Sequence, residues 1–490
     1  MLTHHLSIVV SFAVSILTAM NIAKASDPSP SEIQTAVEKS LTLIQKSNAE
    51  YRKHRQCFSC HHQALPALTL AEARTHGFKI DEENFQKNLE WTAAHLKRGQ
   101  AKYQKGAGQG GQVDTAGYAL WALQTGEWKP DETTSAVIEY LLLRDKDRDH
   151  WRRSGNRPPS EASDITSTYG AIRALDAFGP SEQRERITAR QVKTLAWIQK
   201  QKPKDTEERV FRLRTLSHLG APEDEIQAAA DELLVTQRDD GGWSQTSELT
   251  SDAYATGIVL VALDRVGALG VSDGAYQRGV TFLIGNQLDD GSWHVKSRSK
   301  PFQKYFESGF PHGKDQFISM AASCWATTAL ILASPAETSQ PTSKATIAQL
   351  KKLRAKLRFD DDGRIIEINL QETKTTNEDL VHVVGLRSVT EVSLYQTRVT
   401  SAGLVHLSGL VNIEKLFLTD TKTDDEGLIH VGRLRELRIL GLSGTAVSDA
   451  GLEHLKNLRN LKSLFLIDTR VTDAGVKKLQ EKLPDCDITY

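Results

Sequence analysis

Methionine and cysteine are close to absent from this sequence, with three and four residues respectively in a chain of 490. Four cysteines cannot staple a disulfide-built scaffold, so the chain must fold on hydrophobic cores, and its length suffices for about three domains of ordinary size. An excess of charge is missing too, since 61 Lys and Arg face 62 Asp and Glu for a formal charge of −1. No basic run breaks this balance, which excludes the electrostatic footprint of a nucleic-acid binder. Long apolar runs are also scarce. One of 15 residues, LSIVVSFAVSILTAM at 6–20, precedes Ala23-Lys24-Ala25, the small-x-small pattern of a leader-peptidase site. Shorter than the ~20 residues a membrane span needs, it reads as a secretory signal over residues 1–25. The expected product is a periplasmic or secreted chain with no remaining membrane span and with Met320 as its one methionine.

What is abundant is repetition. From residue 358 to 490, Leu370, Leu394, Leu418, Leu442 and Leu466 recur every 24 residues, accompanied by Thr373, Thr397, Thr421, Thr445 and Thr469. Gly403, Gly427, Gly451 and Gly475 keep the same period. In the unit LRILGLSGTAVSDAGLEHLKNLRN, the LxL step has the period of a strand and GLxHLxxL that of a helix. Five such units bury a common core only by stacking. The segment resembles leucine-rich repeats of the 24-residue kind, which implies a docking surface for a protein partner. Its helical side carries His382, His406, His430 and His454 in one register, expected as a solvated column.

The longer N-terminal part, residues 26–334, repeats more loosely. QRDDGGW at 237–243 returns as QLDDGSW at 287–293, each between two apolar helical runs, and degenerate copies of the second run raise the count to six helix pairs. These residues resemble the squalene-cyclase-like QW repeats of the terpenoid-cyclase and protein-prenyltransferase superfamily. The resemblance implies an (α/α)6 toroid in which Gln237, Trp243, Gln287 and Trp293 brace the outside of the barrel. The expected fold class is thus mainly α plus an α/β solenoid: a toroid, a Ser/Thr/Pro-rich linker at 335–357, and a short leucine-rich repeat domain. The acidic DxDD run of protonating cyclases is missing, and no DDxxD run stands in for it. Asp252, near the place where the resemblance puts the family's acid, is expected as a helix N-cap. Whether the chain is an enzyme is left open.

Two stretches of the toroid carry chemistry. Cys57-Phe58-Ser59-Cys60-His61-His62 contains CxxCH, the attachment pattern of c-type haem, in which two thiols bind the porphyrin and the adjacent His61 ligates iron. His62, His312 and Met320 are candidates for the sixth ligand, with His54 and His76 nearby in sequence. A Cys57–Cys60 disulfide, a Cys60–Cys324 bridge, or zinc held by Cys57, Cys60, His61 or His62 and a further residue stand as alternatives. The second stretch, 300–319, collects Phe302, Tyr305, Phe306, Phe310 and Phe317 around His312, a composition suited either to an apolar small-molecule pocket or to a mere cover for the core.

Overall fold

A computed structural model describes residues 28–490 apart from 56, 301–304, 335–341, 343, 384, 385, 387, 408, 409, 411 and 433. The signal segment and Phe302 therefore lie outside the described residues. Helix α1 (Pro30–His54) starts where Ser29 and Glu32 cap each other's backbone N–H groups and Pro30 presets the first turn. Ile33, Val37, Leu41 and Ile44 then recur at helical spacing and are buried. Five further outer helices follow the same logic: α3 (Glu82–Gln104), α5 (Glu132–Leu143), α7 (Arg184–Ile198), α9 (Glu223–Leu234) and α11 (Gly274–Gly285). Their partners are α2 (Leu65–Thr75), α4 (Gln112–Thr125), α6 (Asp164–Phe178), α8 (Thr206–His218), α10 (Ala253–Arg265) and α12 (Gln316–Ala333). Each even-numbered helix packs on the next, and α12 returns to α2, so they form the inner ring of an (α/α)6 toroid.

Side chains on the first and last pairs complete the ring. Gln287 Nε2 donates to the Ala36 carbonyl at 2.8 Å, Thr69 Oγ1 to the Cys324 carbonyl at 3.1 Å, and Thr327 Oγ1 to Ser40 Oγ at 2.6 Å. Inner helices α10 and α12 are apolar nearly all round because both of their faces meet protein. The segment 313–333 is for that reason long and apolar enough to cross a membrane by length and composition, against the expectation that only the signal comes near this, yet 89% of its window is buried in the ring. Two inner helices pack backbone to backbone: a Cβ on Gly257 would lie 2.5 Å from the Ala326 nitrogen.

The tryptophans of the QW repeats lie inside the wall, not on the outside of the barrel as expected. Trp243 and Trp293 are fully buried, their indole N–H groups donating to the Leu233 and Leu283 carbonyls at 2.8 and 2.7 Å. Burying an indole obliges it to find an acceptor, and the last turn of the preceding helix supplies one. Gln237 and Gln287 each donate to their own turn, at Gly241 and Gly291, and across to the next outer helix, at Ala275 and Ala36. Trp151 makes the same bond to the Leu141 carbonyl at 2.8 Å, a third copy hidden because DRDHW lacks the Gln and Gly of the motif.

Beyond residue 343 the chain forms a second core that shares no residue with the first. The segment 344–352, expected as linker, is helix α13 (Lys344–Lys352), and Leu350 is fully buried against the first repeat. Strands β1 (Lys356–Phe359), β2 (Ile365–Asn369), β3 (Glu391–Ser393), β4 (Lys415–Phe417), β5 (Ile439–Gly441), β6 (Ser463–Phe465) and β7 (Asp487–Thr489) make one sheet in sequence order. All pairs are parallel except β1 with β2. Ile368, Val392, Leu416, Leu440 and Leu464 share one register, 24 residues apart, and point into the core. The Thr column closes the turn after each strand, as where Thr421 Oγ1 donates to the Leu418 carbonyl at 2.6 Å. Gly451 is required because a Cβ there would meet Asp425 Oδ1 of the preceding repeat at 2.4 Å. The expected helix of each unit is realised unevenly: Glu378–Val383 and Ser401–Leu407 are 3₁₀, whereas Asp425–Val431 and Asp473–Gln480 are α. Segments this short sit near the balance between the two forms, and seven residues occur as either.

Candidate functional site

The CxxCHH stretch opens α2 through a π-helical turn, Cys60–Ala64. Ser59 caps it, its Oγ accepting from His62 N at 3.3 Å while its own N–H donates to Gln63 Oε1 at 2.9 Å. Pro66 has no N–H to give back to the turn, and side chains of two outer helices donate to its carbonyls: Asn48 Nδ2 to His62 O at 2.6 Å and Asn88 Nδ2 to Gln63 O at 3.0 Å.

The turn sends its side chains in different directions. Cys57 is exposed, with Sγ 3.6 Å from the Tyr51 hydroxyl. The buried Cys60 thiol instead donates to Glu161 Oε1 at 2.7 Å. His61 has Nδ1 3.3 Å from Cys60 Sγ and Nε2 3.2 Å from Ser160 Oγ. Glu161 also pairs with Arg157, and the two exchange backbone hydrogen bonds of 3.1 Å that hold their loop. Cys60, His61 and Glu161 offer ligand atoms all within 4.8 Å of one another, the one metal-compatible group of three among the described residues. Burial pushes the metal-free thiol up to about 12 and, with Arg157 adding to it, pulls His61 down to about 4. An unassisted nucleophilic cysteine is therefore not what this environment favours.

The other sequence candidates fall elsewhere. His62 is fully buried, hydrogen-bonded through Nε2 to Ser308 Oγ at 2.9 Å and stacked on Tyr51 at 4.9 Å, so it ties the turn to the 305–317 loop. His312 contacts Ser292 Oγ at 2.8 Å and stacks on His294 at 4.7 Å. Met320 is fully buried in α12, three residues on from Phe317. His54 and His76 pair with Glu50 and Glu72. All four cysteines are free, so neither candidate disulfide is formed. Asp252 is the N-cap expected of it, accepting from Ala255 N at 2.9 Å.

A c-type haem needs both thiols and the imidazole to face one porphyrin-sized space. Here the thiols diverge, one to Tyr51 and one to Glu161, and both nitrogens of His61 meet neighbours at hydrogen-bond distance. The donor set does not fit haem in this arrangement. The described aromatic residues of the 305–317 loop pack over the turn. Phe306 packs on Phe317 and under the Arg55 guanidinium, Phe317 sits edge-on to His62, Phe310 is buried, and Tyr305 is half exposed beside Glu307.

Between α4, α6 and α8 lies a cavity of about 10 Å³, room for one water, lined by Asp114, Tyr118, Trp121 and Phe211 among others. The buried Arg214 guanidinium lies 4.9 Å from the centres of Trp121 and Tyr169, 5.7 Å from Phe211 and 5.8 Å from Trp325. An aromatic box suited to a cation thus holds the protein's own. Nearby, Tyr254 donates to Glu207 Oε2 at 3.0 Å, and burial, with Asp205 beside it, pushes the Glu207 carboxyl up to about 8. Sequence reasoning missed Glu161, Arg214 and Glu207, because each gains its meaning chiefly from partners distant in sequence: Cys60 for Glu161, 101 residues away, Trp121, Tyr169 and Trp325 for Arg214, and Tyr254 for Glu207, 47 residues away.

No protein-family model and no curated protein matches the chain. Among solved structures, the apo type II terpene cyclase MstE from Scytonema is similar at 12% identity over 63% of this chain and 99% of its own, with a TM-score of 0.40. A possible member of the GH105 family from Klebsiella pneumoniae gives 11%, 66%, 98% and 0.39 for the same quantities. The leucine-rich repeat ectodomain of the receptor kinase SOBIR1 from Arabidopsis thaliana gives 16%, 31%, 93% and 0.23. At such values the architecture rests on the chain's own geometry.

Proposed function

We propose that this chain is an exported docking protein, in which a toroid filled by its own side chains supports a leucine-rich array that holds a protein partner. One observation carries the reading: Arg214 sits in an aromatic box drawn from four inner helices, and the cavity beside that box measures about 10 Å³, where an isoprenoid would need several hundred. That cavity is too small for cyclisation or isoprenoid binding, and the diverging thiols speak against covalent haem at Cys60 and His61. The array offers a surface in their place. Phe465 and Ile467 are exposed, and Lys415 pairs with Glu391 along the strands at 3.1 Å. Mixed apolar and charged exposure of this kind is the composition of protein recognition surfaces.

A photo-crosslinking residue at Phe465 tests the proposal in the producing cells. A discrete protein adduct is expected there, and none from the same residue at the exposed Val192 of α7. The absence of any adduct at Phe465, or a rise in the melting temperature of the purified chain with geranylgeranyl diphosphate or squalene, overturns it.

A further inference from the structure

The geometry points to a mononuclear centre for a zinc-type divalent ion at Cys60 Sγ, His61 Nδ1 and Glu161 Oε1, with a fourth position left to water. This inference goes beyond the docking role and stands apart from it. The donors are of three kinds, and their combination is selective: a thiolate and an imidazole reject calcium and magnesium and suit zinc or cobalt. Their spacing is right for a small ion. Cys60 Sγ lies 3.3 Å from His61 Nδ1 and 2.7 Å from Glu161 Oε1. Bonds of about 2.0 to 2.3 Å to a tetrahedral ion separate its ligands by about 3.3 to 3.7 Å, so loading requires sub-ångström to ångström adjustments. The ion takes the place of the thiol proton between sulfur and carboxylate; the S–H bond breaks, the proton leaves to solvent, and the metal–sulfur bond forms with no change of oxidation state.

A second, independent feature distinguishes this group from a chance cluster. Two of the three ligands are already held on their far side. His61 turns Nε2 to Ser160 Oγ at 3.2 Å, which presents Nδ1 to the centre, and Glu161 gives its second oxygen to Arg157. Such outer partners are what fix tautomer and orientation at metal sites. They come from one loop, 157–161, closed by the Arg157–Glu161 backbone pair and tied to the sixth helix pair by Ser299 Oγ on the Pro158 carbonyl at 3.1 Å. Phe317 lies edge-on to the His61 ring, their centres 6.3 Å apart. Cys57, exposed and turned to Tyr51, is outside the donor set.

The test uses the reduced full-length chain and the metal alone. After dialysis against Zn²⁺ and then metal-free buffer, one zinc per chain is expected by elemental analysis. Co²⁺ is expected to give the visible bands of a tetrahedral ion and a near-ultraviolet thiolate-to-cobalt transition. Cys60→Ser should abolish that transition, Glu161→Gln should weaken retention about 10- to 100-fold, and Cys57→Ser should change neither. Near-ultraviolet circular dichroism of Glu161→Gln, nearly isosteric with the parent, separates metal loss from misfolding. No retained zinc, retention undiminished in both folded Cys60→Ser and Glu161→Gln, or a porphyrin absorbance with a matching mass increase in the purified chain overturns the inference.

Discussion

The ring and the array are both repeats, yet they store their order differently. In the array, every unit meets its neighbours through the same surface, so Gly451 must clear Asp425 and Thr421 must close its turn in the register that holds elsewhere. Stability there is a sum of near-identical terms. In the ring, the last pair must meet the first, and the contacts that achieve it are unique: Gln287 to Ala36, Thr69 to Cys324, Thr327 to Ser40. Closure replaces regularity as the constraint. Individual pairs are then free to diverge, and both the Cys60–His61–Glu161 group and the Arg214 box occur in this irregular part.

The sharpest way to break this comparison is at a backbone contact of the ring. Gly257→Leu should remove about 3 kcal/mol or more, since its Cβ meets the α12 backbone at 2.5 Å. In calorimetry the ring's transition should collapse while the array's survives, because the two cores share no residue; simultaneous loss of both would show the contrast to be false. Arg214→Ala should cost about 2 to 3 kcal/mol by emptying the aromatic box, with partial recovery of the melting temperature in millimolar guanidinium or tetramethylammonium. Recovery absent with both cations would mean that Arg214 serves packing alone.

Acidity separates the regions next. Glu207 titrates near 8 in the folded ring and near 4.5 when free, so the native state holds the extra proton and stability falls as pH rises from about 4.5 to about 8. In the metal-free chain His61, lowered to about 4, acts oppositely, losing stability as pH falls below about 6.5. The window from 6.5 to 8 therefore belongs to Glu207. The ring should lose about 1 kcal/mol or more across it, Glu207→Gln should flatten the slope, and the array should stay level. An unchanged slope in the variant would assign the titration elsewhere. The smallest effect is expected from Thr445→Val in the array, about 1 kcal/mol for the single bond to the Leu442 carbonyl, read from the array's own denaturant midpoint.

The same contrast explains what the amino-acid sequence reveals. Leu370 to Leu466 could be read without a structure because a 24-residue register repeats its own evidence. All six inner helices were legible from their apolar runs, as was Asp252 as a cap, since these depend on neighbours in sequence. The third tryptophan, Trp151, was not, because its flanks had lost the Gln and Gly while keeping the indole's bond to Leu141. CxxCHH was visible, but its meaning was not. Which way each side chain turns depends on the π-helical turn and on Glu161, which the folded ring supplies from 101 residues away.

That turn has a consequence for the first helix pair. A π-helical turn is one residue longer than the α turn it replaces, and the surplus rotates everything before it by about 100° relative to α2. With that rotation His61 faces the 157–161 loop and His62 faces Ser308, while Asn48 and Asn88 hold the carbonyls of His62 and Gln63. Deleting one residue from the turn should swing the start of the segment away by the same angle and part Cys60 from Glu161.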